Sequence, residues 1–173
     1  MRQNKSSILA LDPGTREMGY ASFEGDELVD YGVKTIRHGR VLESLLLAIE
    51  RIVVRMVREK RPETLVIEKN SFSQIRQNVR LMLAIARIKG VAKRYGVRVL
   101  ELDARTIRKV VCNNGNATKR ELARTIAVRF PEMRAYLESN RRWRERYYQN
   151  IFDAIACGLA HIIVHSQPYE KTL

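Results

Sequence analysis

The chain has 173 residues, 45% of them hydrophobic and 29% charged, a balance that is typical of a globular domain. Its 32 Lys and Arg residues against 19 Asp and Glu give a net charge of +13, which favours a polyanionic partner such as nucleic acid. The alternative is a basic surface that serves solubility alone. With two cysteines and no apolar run near the roughly 20 residues of a membrane span, neither a disulfide-stabilised small domain nor a membrane protein is expected.

Five segments of the sequence predict β-strands. The first is a short apolar run that is closed by Asp12-Pro13-Gly14, and the second and third are joined by a hairpin turn at Gly25-Asp26. The fourth is a buried run that is closed by Glu68. In chain order the predicted strands are Ser7–Leu11, Gly19–Phe23, Glu27–Thr35, Thr64–Ile67 and Val97–Leu102.

Apolar side chains that recur at steps of three and four residues predict the helices. Gly96 ends the second helix, and Thr118 with Glu121 forms a capping box at the start of the fourth. The predicted helices span Val41–Lys60, Arg76–Tyr95, Ala104–Val111, Thr118–Arg129 and Gln149–His165. A three-strand meander followed by alternating helices and strands predicts an α/β fold, a mixed sheet with helices on both faces, and a single domain over residues 1–173.

Three carboxylates occur where a charge is costly. Asp12 ends the first strand, Glu68 ends the fourth, and Asp153 lies in the apolar last helix on a face that is otherwise small: Ala156, Cys157 and Ala160. A carboxylate buried without a partner is strongly unfavourable, and Mg²⁺ prefers such hard oxygen ligands. Two ions roughly 4 Å apart could bridge the acids and hold a phosphodiester. For any one acid taken alone, the alternative is a cap or a turn.

At these residues the sequence resembles the RuvC-type Holliday junction resolvases of the RNase H-like nuclease superfamily. Four motifs occur in order over nearly the whole chain: Ile8–Thr15 with Gly19-Tyr20, Leu65–Glu68, Ala104–Lys119 and Asp153–Ala156. The resemblance implies an RNase H-like five-stranded sheet. It also implies a homodimer that binds a four-way DNA junction and nicks two strands symmetrically, leaving 5′-phosphate and 3′-hydroxyl ends, with no small-molecule cofactor and no membrane partner.

The resemblance implies roles for single residues at the catalytic centre. Asp12, Glu68 and Asp153 would be catalytic and would bind Mg²⁺, two ions per active site, with Mn²⁺ as a substitute. Lys119 would stabilise charge that develops in the transition state. Its alternative is a solvated lysine in the first turn of a helix, where the helix dipole mildly disfavours it.

The resemblance also implies contacts with DNA. Phe72, an aromatic side chain in a polar loop, would stack on bases at the junction centre, or else fold back onto the core as a loop anchor. Lys69, Arg76, Arg80 and Arg108 would contact backbone phosphates.

One position departs from the family pattern. Where the family has an Asp or a His as a further metal ligand, three residues before the final Asp, this chain has Asn150. An amide oxygen can bind a metal, but it brings no charge and cannot act as a base. Three interpretations stay open: a working natural variant, a site of reduced metal affinity, or a substitution that stops cleavage.

Two alternatives to a junction resolvase remain open on the sequence. One is another RNase H-like nuclease that cuts RNA–DNA hybrids or flaps, and the other is a binding module that holds junctions without cutting them. The sugar-kinase and actin-like ATPases also begin with Asp-x-Gly-Thr, but they need two domains.

Cys112 and Cys157 predict free thiols in a reducing compartment. We expect this compartment to be the cytoplasm, with the protein associated with the nucleoid. An organellar or viral origin is also open.

Overall fold

The computed structural model describes residues 6–69, 79–137 and 142–166, with side chains in the last segment from 148 to 165. Five strands occur: β1 (Ser7–Asp12), β2 (Glu17–Glu24), β3 (Glu27–Thr35), β4 (Thr64–Lys69) and β5 (Arg98–Asp103). Six α-helices and one 3-10 helix (Pro131–Met133) accompany them in the described residues. The α-helices are α1 (Leu42–Lys60), α2 (Val79–Arg94), α3 (Ala104–Cys112), α4 (Lys119–Arg129), α5 (Arg134–Leu137) and α6 (Arg142–Ser166). None of these helices has the length and hydropathy needed to cross a membrane.

The strands form one mixed sheet in the order β3-β2-β1-β4-β5. β2 pairs antiparallel with β1 and β3, whereas β4 pairs parallel with β1 and β5. The carboxyl ends of β1, β4 and β5 therefore meet at one edge of the sheet, which places Asp12 and Glu68 next to each other. The predicted mixed five-stranded sheet is confirmed.

Helices cover both faces of the sheet, as predicted, because side chains alternate between the faces along each strand. Leu9 and Leu11 of β1 belong to one core with the buried sides of α1 and α2. Ile8 and Ala10 of the same strand belong to the other core with α3, α4 and α6. Burial of each large aliphatic side chain contributes about 1.5–3 kcal/mol, so the two cores together fix the sheet between its helix layers.

α6 lies unusually close to β1 and β2 because glycines occupy its contacts with the sheet. A Cβ atom on Gly19 of β2 would lie 2.0 Å from the carbonyl oxygen of Asn150. A Cβ atom on Gly158 of α6 would lie 2.3 Å from the ring of Phe23 and 3.1 Å from the Cβ of Ala10. The small face predicted for this helix is confirmed, since Ala156, Cys157 and Ala160 are fully buried.

Most element boundaries agree with the sequence prediction. The capping box of Thr118 and Glu121 is present in full, and Gly96 has the positive φ of 69° that a helix-ending glycine allows. The prediction was wrong for the last helix, which begins at Arg142 rather than at Gln149. Charged residues interrupt the apolar period before Gln149, so the sequence pattern did not predict the first turns of this helix. The predicted start of the second helix, at Arg76, lies outside the described residues.

We expect Gly158→Ala to destabilise the protein. The added methyl group has no space between Phe23 and Ala10, and overpacking of this kind costs about 1–3 kcal/mol, against a gain of up to about 1 kcal/mol in helix propensity. Urea denaturation measures the free energy of unfolding. The matched control is Gly90→Ala in α2, where an added Cβ meets nothing within 4 Å, and it should be neutral or stabilising. Equal effects of the two substitutions would contradict the close seating of α6.

Candidate active site

A cleft of about 650 Å³ opens at the edge of the sheet where the parallel strands end. Its walls come from the ends of β1, β4 and β5 and from helices α2, α3, α4 and α6. All three predicted acids line it, together with the predicted Lys119, Asn150, Lys69 and Arg108. Residues that lie up to 141 positions apart in the chain, from 12 to 153, thus face one space.

Asp12 lies at the centre of this arrangement. It ends β1 and leads into a tight turn, where a Cβ atom on Gly14 would lie 2.1 Å from the carbonyl oxygen of Glu17. The pKa of Asp12 is raised to about 8, first by burial and then by the negative charges of Asp153 and Glu68, against the opposing effect of Lys119. The charged form of Asp12 is therefore unfavourable at this position unless a cation lies near it.

Glu68, next to Asp12 across the sheet, is under the same influence. Burial is the main cause that raises the pKa of Glu68, and the negative charge of Asp153 is the next. The positive charges of Lys119 and Arg108 lower it. Such shifts are common where carboxylates converge in a site, although ion-pair networks also cause them.

Lys119 forms an ion pair with the third acid. Its Nζ donates to Oδ2 of Asp153 at 3.0 Å, and the side chain of Asp153 is 13% exposed against 56% for Lys119. Lys119 is the first residue of α4, so the capping box of Thr118 and Glu121 fixes the backbone from which it extends. The amine of Lys119 therefore contacts the acid cluster, although the side chain remains largely exposed to solvent.

The donor set of the cleft fits a hard divalent cation. It offers the three predicted carboxylates and the amide oxygen of Asn150, and all of these are oxygen ligands of the kind that Mg²⁺ and Mn²⁺ prefer. In the described part of the chain, no three His, Cys, Asp or Glu side chains are already drawn together as a closed ligand cluster. The acids therefore share one cleft without forming a closed ligand set, and their charges repel one another.

Asn150, the position that departs from the family pattern, is held on its far side. Its side-chain Nδ2 donates to Oε2 of Glu17 at 3.4 Å, and its main-chain carbonyl oxygen lies against Gly19. Both contacts come from β2, and Asn150 also lines the cleft.

Only some of the residues predicted to contact DNA lie at the cleft. Lys69 and Arg108 line the cleft. Arg80 lies outside the lining, and its Nη2 donates to the carbonyl oxygen of Arg40 at 3.0 Å. Phe72 and Arg76 lie outside the described residues.

Two charged lining residues were missed by the sequence analysis. Asp103 ends β5 beside Lys69, so the strand-end pattern that identified Asp12 and Glu68 could have identified it. Its oxygens accept from the backbone N and Oγ1 of Thr106 at 2.9 and 2.6 Å, which lowers its pKa and commits it to capping α3. Arg105, near the start of α3, adds a further exposed cation to Lys69 and Lys119 in the lining of the cleft.

His161 and His165 lie near the opposite end of α6 from the acids. His161 is buried, and burial with the nearby charge of His165 lowers its pKa to about 4. His165 Nδ1 lies 2.9 Å from the carbonyl oxygen of His161. This pair contributes nothing to the cleft that holds the acids.

Comparisons with known proteins point to one family. The family model of the crossover junction endodeoxyribonuclease RuvC matches residues 8–140. The RuvC of Akkermansia muciniphila is 30% identical over 160 residues, which cover 90% of this chain and 89% of that protein. The structure of Thermus thermophilus RuvC superposes with a TM-score of 0.72 at 20% identity, covering 92% of this chain and 95% of that one. The same protein in complex with a Holliday junction substrate gives a TM-score of 0.72 at 18% identity, and the likeness shows the fold.

We expect divalent metal binding to release a proton below pH 8. Asp12, with its pKa of about 8, carries a proton in the metal-free protein at neutral pH, and that proton must leave before the carboxylate can bind a cation. Apparent Mn²⁺ affinity should therefore fall as pH decreases from 8, by up to about tenfold per unit for one proton, and level off above it. Calorimetric titration in buffers of different ionisation enthalpy measures the released proton. Asp12→Asn should abolish the release, and equal heats for the unmodified protein in all buffers would contradict the protonated Asp12.

Proposed function

The chain belongs to the RuvC family of crossover junction endodeoxyribonucleases, and we propose that it resolves four-way DNA junctions through the cleft that Asp12, Glu68 and Asp153 share. Its reaction is the metal-dependent hydrolysis of a phosphodiester bond in each of two strands. The observation that carries the assignment of the site is the convergence of these three acids, with Lys119, at one edge of the sheet. The family match ends at residue 140, so the part played by α6 rests on this geometry.

The acids and Asn150 would hold two Mg²⁺ ions, for which Mn²⁺ would substitute. When bound, the ions would supply Lewis-acid activation of the attacking water and stabilisation of the leaving oxygen. Asp12 and Glu68 orient their carboxylates from rigid strand ends, and Asp153 does so from a helix that glycines lock onto the sheet. The products would carry 5′-phosphate and 3′-hydroxyl ends.

Lys119 and the exposed cations of the cleft would act on the phosphate. The amine of Lys119 already lies beside Asp153, where it can stabilise negative charge on the phosphoryl oxygens as the transition state forms. Lys69, Arg105 and Arg108 line the same cleft as the acids, and a DNA backbone lying across them would be attracted by their charge. The whole chain, with its charge of +13, would draw DNA to this site.

We place the activity in a homodimer whose interface is the outer surface of α1 and α2. Large apolar side chains are exposed there: Val41, Leu42, Leu47, Val79 and Met82. An exposed apolar area on a protein this basic favours association with another protein surface. Two copies related by a twofold axis would present two clefts, which suits the paired nicks of junction resolution.

The alternatives from the sequence become outcomes of the substrate test. An RNase H-like enzyme for hybrids or flaps would use the same acids on another substrate. A binding module would hold the junction without cutting. We also propose that the chain works as one domain in a reducing compartment, where Cys112 and the buried Cys157 remain thiols.

We expect Asp12→Asn to abolish nicking of a four-way junction and to leave junction affinity largely intact. The amide keeps the shape of the side chain but removes the charge that a metal needs, while the surrounding cations remain. Strand-nicking and gel-shift assays with junction, duplex and hybrid DNA in Mg²⁺ measure both properties. Asp26→Asn is the matched control, since Asp26 lies in the exposed hairpin turn. Normal nicking by Asp12→Asn would refute the catalytic assignment, and equal cleavage of all three substrates would refute junction selectivity.

We expect Met82→Glu to shift the protein from dimer to monomer in sedimentation analysis at micromolar concentration. A buried, unpaired carboxylate at an interface on α2 would oppose association strongly. Val128→Glu is the control, because Val128 is an exposed apolar residue of α4, on the other side of the sheet. A stable dimer of the Met82→Glu variant, or a monomer of the unmodified protein, would contradict this interface.

A further inference from the structure

Asn150 and Glu17 form a pair behind the acid cluster. Asn150 of α6 lines the cleft, while Glu17, at the start of β2, lies behind it and outside the lining. The two half-buried side chains meet through Nδ2 of Asn150 and Oε2 of Glu17, 3.4 Å apart.

The pair determines which way the amide of Asn150 faces. The oxygen and nitrogen of an amide are nearly the same in shape, so its orientation is set by its hydrogen-bond partners. An ionised carboxylate can accept hydrogen bonds and cannot donate them. Turning the amide over would therefore place two oxygens against each other. With Nδ2 committed to Glu17, the amide oxygen is left to serve as the acceptor, the form in which an amide can bind a hard cation.

The same strand also holds the backbone of Asn150. Gly19 lies two residues after Glu17, and side chains two residues apart on a strand project from the same face. A Cβ atom on Gly19 would collide with the carbonyl oxygen of Asn150 at 2.0 Å, so the main chain of α6 lies directly against β2 here. β2 thus fixes both the backbone and the side chain of this one residue.

We infer that Glu17 is a positioning residue for Asn150, and that the two act as one unit in metal binding. Asn150 presents a neutral oxygen to the ion, and Glu17 holds that oxygen in place from behind. This inference rests on the proposed metal-dependent function. The contact with Glu17 also explains why position 150 is Asn. An Asp there would place a second carboxylate beside that of Glu17, and like charges at this distance repel each other.

The test is a double-mutant cycle with Glu17→Gln, Asn150→Asp and the double variant. The first readout is Mn²⁺ affinity without DNA, from calorimetric titration, and the second is the rate of junction nicking at saturating DNA. Glu17→Gln alone should weaken Mn²⁺ binding by about threefold to tenfold, because a neutral amide can present either end to Asn150 and no longer sets its orientation. The nicking rate should fall while junction affinity stays unchanged.

The decisive comparison is the effect of Glu17→Gln in the two backgrounds. Beside Asn150→Asp the same substitution should improve Mn²⁺ binding and nicking, because it removes a repelling carboxylate and supplies an N–H donor to the new one. A change of sign between the backgrounds supports the pair, whereas additive effects would overturn it. Glu24→Gln, at the exposed far end of β2, is the matched control, and thermal unfolding checks that each variant is folded.

The same experiment separates this inference from the proposed function. If the unmodified protein neither binds Mn²⁺ nor nicks junctions, the proposed function fails, and the inference fails with it. If it does both, but Glu17→Gln leaves Mn²⁺ affinity unchanged, the positioning role of Glu17 is wrong and the proposed function stands.

Discussion

The candidate site depends on the close contact between α6 and the sheet. Glycines at positions 19 and 158 remove the side chains that would hold the helix away, and Ala10 keeps the facing position on β1 small. The helix can therefore bring Asp153 and Asn150 to the edge where Asp12 and Glu68 end their strands. A larger residue at either glycine would push the helix away from the closely packed sheet, and the acids would then lie farther apart.

This contact concentrates negative charge that the fold does not neutralise by itself. Burial and repulsion raise the pKa of Asp12 to about 8, and one cation, Lys119, pairs directly with Asp153. Such a cluster costs folding free energy in the absence of a partner, which is a frequent property of sites that bind metal ions. The uncompensated acids of the cleft and the basic residues that line it are the features on which we base the proposed binding of metal ions and DNA.

The two faces of the sheet divide the remaining work. One face, under α3, α4 and α6, supports the acids and Lys119. The other, under α1 and α2, carries the exposed apolar residues that we assign to the dimer interface. Because side chains alternate along β1, this one strand contributes residues to both cores.

The sequence by itself determined the strands, most helix boundaries and the identity of the acids. These follow from local physics: apolar runs closed by turn residues, a capping box at Thr118, and carboxylates where burial is costly. Only the tertiary structure decided that Lys119 contacts Asp153, that Asp103 is committed to a helix cap, and that Glu17 holds Asn150. Glu17 and Asn150 lie 133 residues apart, and no local pattern records a contact that depends on how closely a helix packs on a sheet.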